Sequence, residues 1–140
     1  MPKDTSKILE ELALSPDFQT FYEENQDHMV TESLSGMLNA LVDASGLSKS
    51  LIIRRSEISE SYAYQIFSGL RLPDRKRLLS LALAMELPPD KVQRLLKCAG
   101  YPPLYPKRSF DSIVLYGFHK KLTVPELNEL LLQYGEEMLV

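Results

Sequence analysis

Between residues 46 and 100 the chain alternates helix starts and helix stops at intervals too short for any one helix to stand alone. Gly46-Leu47-Ser48, Ile58-Ser59, Ser68-Gly69, Asp74, Pro89 and Gly100 fall in that order. Serine and aspartate accept hydrogen bonds from the unpaired amides of a first helical turn, and glycine takes the left-handed conformation that ends a last one. Helices of about ten residues are marginal in water and hold only when neighbours cover their apolar faces. Such punctuation restricts the segment to a bundle of short helices.

Apolar spacing supplies those faces. Leu34, Leu38, Leu41 and Val42 repeat at the helical period and lead into Gly46. Ser48 caps the next helix, with Leu47 placed to clasp Ile52 as a hydrophobic staple. Ser59 caps a third, which turns Ala63, Ile66 and Phe67 inward and ends at Gly69. Asp74 caps a fourth carrying Leu78, Leu81, Ala82 and Met85. Pro89 opens a fifth, with Val92, Leu95, Leu96 and Ala99 inside and Gly100 at its end.

The flanks read as helical too. Ile8, Leu9 and Leu12 share a face of a helix capped by Asp4 or Ser6, and Pro16 follows a Ser15 cap ahead of Phe18, Phe21 and Tyr22. Residues 23–31 are polar and read as a loop. YPPLYPKR, residues 101–108, is stiff and extended because prolines restrict both themselves and the residues before them. Ser109 is expected to cap a helix with Phe110, Ile113, Val114 and Phe118 on one face. Thr123 and Glu126 form a capping box ahead of Leu127, Leu130, Leu131 and Tyr134. The expected class is all-α: an acidic N-terminal helical extension (1–33), a five-helix domain (34–100), a proline-rich connector (101–108) and a C-terminal helical hairpin (109–140).

Composition narrows the function classes. Hydrophobic residues make up 44% and charged residues 25%, as in ordinary soluble domains. The longest apolar run, Leu78 to Met85, is interrupted by Ser80 and too short to cross a bilayer, so no membrane partner is expected. The N-terminal MPKDTSKILEELALSPDF lacks an apolar signal core, and the single Cys98 fits a reducing compartment, so the cytoplasm is the expected location. Charge is strongly segregated. Residues 1–33 carry −6, residues 34–122 carry +7 and residues 123–140 carry −4, for the overall −3. A basic middle flanked by acidic ends is compatible with binding a polyanion through the middle.

From Leu34 to Leu96 the order of elements is specific. A long helix ends in Gly46; LSKSLIIRRSEIS follows; a helix closes on Phe67-Ser68-Gly69; then come Pro73 and two more helices. In this order the segment resembles the phage-repressor-like, XRE/Cro-type helix-turn-helix family, over under half of the chain. The resemblance implies a lambda-repressor-like five-helix fold, with double-stranded DNA as partner and transcription regulation as function. It also implies that the third helix, about Glu60 to Ser68, lies in the major groove. Carried over position by position, Glu60, Ser61 and Gln65 fall where base readers sit, with Tyr62 and Tyr64 beside them. Gln65 would pair with adenine through its amide, Glu60 would accept from the cytosine amino group, and Ser61 would bond either way. Lys49, Ser59, Arg71, Arg75 and Lys76 fall at phosphate-contacting positions. Three positions depart from the family pattern: Glu57 stands at a turn position usually glycine, bulky Ile53 at a small one, and Ser56 at an apolar one.

Enzyme chemistry has no constellation here. There is no Gly-rich phosphate loop, no paired cysteine and no His-Glu-x-x-His, so neither a cofactor nor a metal is expected. Cys98 in LLKCAG reads as buried packing, and His28 and His119 as solvated groups. The alternative to DNA binding is a protein-protein adaptor on a repurposed scaffold, contacting its partner through Tyr62, Tyr64 and Gln65. The tail carries one more expectation. Leu127, Leu130 and Leu131 exceed what two short helices bury between themselves, so the hairpin is expected to pair with a second copy in a homodimer, with docking on its own domain as the alternative.

Overall fold

The computed structural model describes residues 5–25 and 33–140, and all regular structure among them is α-helical. The chain forms two compact units, residues 1–32 and residues 33–140. In the first, α1 (Thr5–Leu14) is followed by α2 (Phe18–Asn25). Asp17, not Ser15, supplies the cap of α2: its Oδ1 accepts from Thr20 N at 2.7 Å, and Pro16 lies outside the helix. The side chain of Asp17 suits this better than Ser15 because it sits one residue before the first turn. Ser6 lies inside α1, and Asp4 falls outside the described residues, as does most of the expected polar loop. Leu9 and Leu12, expected to face inward, are exposed, while Phe18 packs its ring 5.9 Å from Phe21 and 6.1 Å from Tyr22.

The second unit holds α3 (Leu34–Ser45), α4 (Lys49–Ser56), α5 (Glu60–Ser68), α6 (Arg75–Ala84), α7 (Pro89–Cys98), α8 (Ser109–Lys120) and α9 (Val124–Gln133). Its centre is α6, where every residue from Leu78 to Met85 is buried. α4, α7 and α9 all pack on α6, while α3 packs on α5 and α7. A helix apolar on every side is one that other helices surround. The surrounding is complete enough to bury the Ser80 hydroxyl without a hydrogen-bond partner among the described residues.

The C-terminal hairpin belongs to this same unit. α8 packs on α7 and on α9, and Leu127 and Leu131 are fully buried within the single chain. The expectation that these leucines require a second copy is therefore corrected: their partners are the chain's own helices. Gly117 makes the α8–α9 approach feasible, because a β-carbon there would lie 2.9 Å from Leu127 Cδ1. Ser109 is the first residue of α8, and Arg108 precedes it without a side-chain cap, so the expected Ser109 cap does not form. The capping box of Thr123 and Glu126 does.

The connector is pinned from three sides. Gln93 of α7 brackets Leu104, donating to its carbonyl at 2.9 Å and accepting its amide at 2.7 Å. Tyr101 donates its hydroxyl to Pro73 O at 2.6 Å. Arg75 donates to both oxygens of buried Asp111 at 3.0 and 3.1 Å and to the carbonyls of Pro102 and Pro103. Asp111 also accepts from Tyr105 N at 2.9 Å. A bidentate guanidinium–carboxylate pair is among the stronger polar links a protein makes, and this one welds α6, the connector and α8.

Candidate nucleic-acid interface

The turns on either side of α4 are built alike. In SGLS, residues 45–48, Ser45 donates its hydroxyl to Val42 O and accepts Leu47 N; Gly46 is left-handed; Ser48 caps α4 by accepting Leu51 N. In SEIS, residues 56–59, Ser56 donates to Ile53 O at 2.6 Å and accepts Ile58 N at 3.2 Å. Glu57 is left-handed at φ 63°, and Ser59 caps α5 by accepting Tyr62 N. Ser56 is fully buried and needs its hydroxyl for these two bonds, which accounts for a polar residue at an apolar position. Glu57 takes the conformation that glycine usually supplies, and Ile53 fits as a buried side chain. The three departures from the family pattern leave the tight turn in place.

α5 is anchored from behind. Ala63, Ile66 and Phe67 are buried, and Asn39 of α3 donates to Phe67 O at 2.8 Å and to Ser35 O at 2.8 Å. Left-handed Gly69 ends the helix, and Gln65 O accepts the amides of Leu70 and Arg71. The outward face presents Glu60, Ser61, Tyr64 and Ser68 as exposed residues and Gln65 as half-buried. Glu60 sits in the first turn, where a negative charge is favoured by the amide end of the helix. Tyr62 differs from its neighbours. It is half-buried, and the guanidinium groups of Arg71 and Arg77 each lie 4.8 Å from its ring centroid. Tyr62 is thus a platform for cations, whereas Tyr64 remains free to reach outward.

The basic residues divide into two sets. Lys49 holds its ammonium 4.9 Å from the Phe67 ring beside the start of α4, and Arg54 and Arg55 are exposed in the last turn of α4. Arg71 and Arg77 share Tyr62, with Arg77 also paired to Asp74 at 2.8 Å. Lys49, Arg54, Arg71 and Arg77 lie around α5, whereas Arg55 lines a cleft with Leu83, Glu86 and Lys121. Arg75 and Lys76 do not lie around α5. Arg75 is spent on Asp111 and the connector, and Lys76 pairs with Glu137 and lies 5.8 Å from the Phe110 ring. Both side chains reach towards the hairpin, so the phosphate role expected of Arg75 and Lys76 would have to compete with these contacts. Ser59 uses its oxygen as a cap and keeps its own proton to donate.

Sequence reasoning counted Arg54, Arg55 and Arg77 only among the seven basic residues from Lys49 to Arg77 available for backbone contacts, and gave Asn39 no place. Arg77 reaches Tyr62 across fifteen positions of chain, and no local pattern signals that stacking. Two apolar side chains adjoin the same face: Leu70 and Leu72 are 83% and 78% exposed. Cys98 is exposed, not packed in the core, because it falls at the solvent side of the last turn of α7. His119 is exposed as expected, and His28 lies outside the described residues. No helix is long and apolar enough to cross a membrane among the described residues. Comparison with known proteins finds no matching family model, no similar curated protein and no matching solved structure.

Proposed function

We propose that this chain is a sequence-selective, double-stranded DNA-binding protein of the XRE/Cro-type helix-turn-helix family that regulates transcription by occupying an operator. The observation that carries the reading is the α4–α5 pair. A short helix and a tight SEIS turn hold α5 with its inner face fixed on α3 and its outer face polar and free. Four cationic side chains, Lys49, Arg54, Arg71 and Arg77, lie around α5. A helix so placed fits the major groove, with Lys49, Ser59, Arg54 and Arg77 on the phosphates. Glu60, Ser61, Tyr64 and Gln65 are left to meet base edges.

Each neutralised phosphate releases counterions, so the three cationic contacts of Lys49, Arg54 and Arg77 give a log–log salt slope of about −3. Duplex recovered by selection from random sequence should therefore bind the full chain with affinity falling steeply as salt rises. Lys49→Ala should weaken all duplexes alike and reduce the slope by about one. A salt-independent affinity would sink the proposal. The second reading, a protein-binding adaptor, is favoured by one observation, the exposure of Leu70 and Leu72 beside α5. Under it, replacing both leucines with serine abolishes partner capture while Lys49→Ala leaves it intact.

A further inference from the structure

We infer that Gln65 and Arg71 act as one donor unit that selects guanine over adenine in the bound DNA; this rests on the DNA-reading role proposed above. Arg71 Nε donates to Gln65 Oε1 at 3.0 Å. The guanidinium also lies over the Tyr62 ring at 4.8 Å, as does that of Arg77. The backbone secures the pair as well. Gln65 O accepts the Leu70 and Arg71 amides at 3.0 and 3.2 Å, so the segment carrying Arg71 folds back onto the turn carrying Gln65.

The consequence lies in which groups remain available. A glutamine reads adenine with both ends of its amide: the nitrogen donates to N7 and the oxygen accepts from the N6 amino group. Here one of that oxygen's two lone pairs already accepts from a cation, whose guanidinium stands beside the other. An adenine amino group brought to that edge meets guanidinium N–H groups, donor against donor. Guanine offers N7 and O6, both acceptors. Gln65 Nε2 and the terminal nitrogens of Arg71 can donate to them together, and the charge on Arg71 strengthens its bond. Among the described residues those terminal nitrogens have no hydrogen-bond partner in the chain. Arg71, expected at a phosphate, is on this geometry a positioning and specificity residue. Gln65, expected to read adenine, is turned towards guanine.

Selection from random-sequence duplex with the full chain tests this, using wild type, Gln65→Ala, Arg71→Ala and Arg71→Lys. The base position whose preference vanishes in Gln65→Ala marks the contact. At that position wild type should prefer guanine over adenine by roughly tenfold. Arg71→Ala frees the amide oxygen, and the position should switch to adenine. Arg71→Lys keeps the charge but not the fork, so the guanine preference should fall while the salt slope stays as in wild type. Circular dichroism of each variant checks that the helices are retained. Adenine at the wild-type position overturns the inference and leaves the DNA reading standing. So does guanine retained in Arg71→Ala with all sequences weakened equally, which is what a phosphate contact would do. A Gln65→Ala variant that changes no position removes Gln65 as a reader and overturns it too. Failure of the wild-type chain to enrich any sequence overturns the DNA reading and this inference with it.

Discussion

Glu57 shows how a single residue bears the strain of a turn. Its φ of 63° lies in the left-handed region, shared among described non-glycine residues by Glu86 and Lys121. For an ordinary L-residue that conformation costs about 1–2 kcal/mol, whereas glycine adopts it freely but loses about 0.5–1 kcal/mol more backbone entropy on folding. The difference favours glycine. Glu57→Gly should therefore stabilise the fold by about 0.5–1 kcal/mol, read as a higher urea midpoint at unchanged m-value. An unchanged or lowered midpoint would show that the carboxylate supports the turn. Ser56 makes the complementary point. The similarity of SGLS to SEIS is printed in the sequence, yet Ser56 reads as a defect until its two hydrogen bonds are seen.

At the scale of elements, caps were legible more often than not, Ser15 and Ser109 being the misses. Ser48, Ser59, Asp74 and Thr123 each cap the helix that local chemistry assigns them, because capping involves only residues three apart. Thr123 and Glu126 also yield a pH prediction. Glu126 Oε1 accepts Thr123 N at 2.9 Å, and this backbone bond holds the carboxyl below its ordinary value of 4.5. The folded chain therefore stays ionised where the unfolded chain has begun to bind protons. The contribution is complete above 4.5, shrinks as pH falls past it, and is gone once the folded carboxyl itself protonates. Glu126→Gln should flatten part of the fall in Tm over that window. Asp17, held low by Thr20, and Glu137, held low by Lys76, add contributions of the same sign. A Tm–pH profile identical in the two proteins would refute the assignment. Amphipathic stripes were less legible than caps. α6 was read as having one apolar face, but α9 packs on it along with α4 and α7, so Leu79 and Leu83 are buried as well.

At the scale of the whole molecule, Arg75 separates two accounts of the basic middle. As a phosphate contact it would matter only to DNA. As the partner of Asp111, whose side chain is 6% exposed, it matters to folding. Removing one member of a buried pair strands the other, at about 3–5 kcal/mol for full burial; Arg75 retains 23% exposure, so the lower end applies. Arg75→Ala should lower stability by about 3 kcal/mol, and Asp111→Ala, which removes no positive charge, should do comparable damage. Chemical denaturation of the two variants measures this. For the molecules that remain folded, the salt slope of duplex binding should match wild type. A reduced slope with undiminished stability would return Arg75 to the phosphates.

What the sequence determined by itself is the part of the structure written in short-range chemistry. Helix starts and stops, the all-α class and the inward faces of α4, α5 and α7 depend on residues within a turn or two of one another. The outward set Glu60, Ser61, Tyr64 and Gln65 was legible for the same reason. Tertiary structure alone decided which surfaces are used up by other parts of the chain. Arg75 and Asp111 are thirty-six positions apart, and Arg71 reaches Gln65 only because Gly69 turns the chain back. Leu127 and Leu131 looked unpartnered until the hairpin folded onto α6 and α7. A charge or a leucine carries no mark of whether solvent or a distant helix will meet it, because that depends on packing directions between elements. The all-α class of this protein was therefore local information, while which cations are spent on other parts of the chain was not.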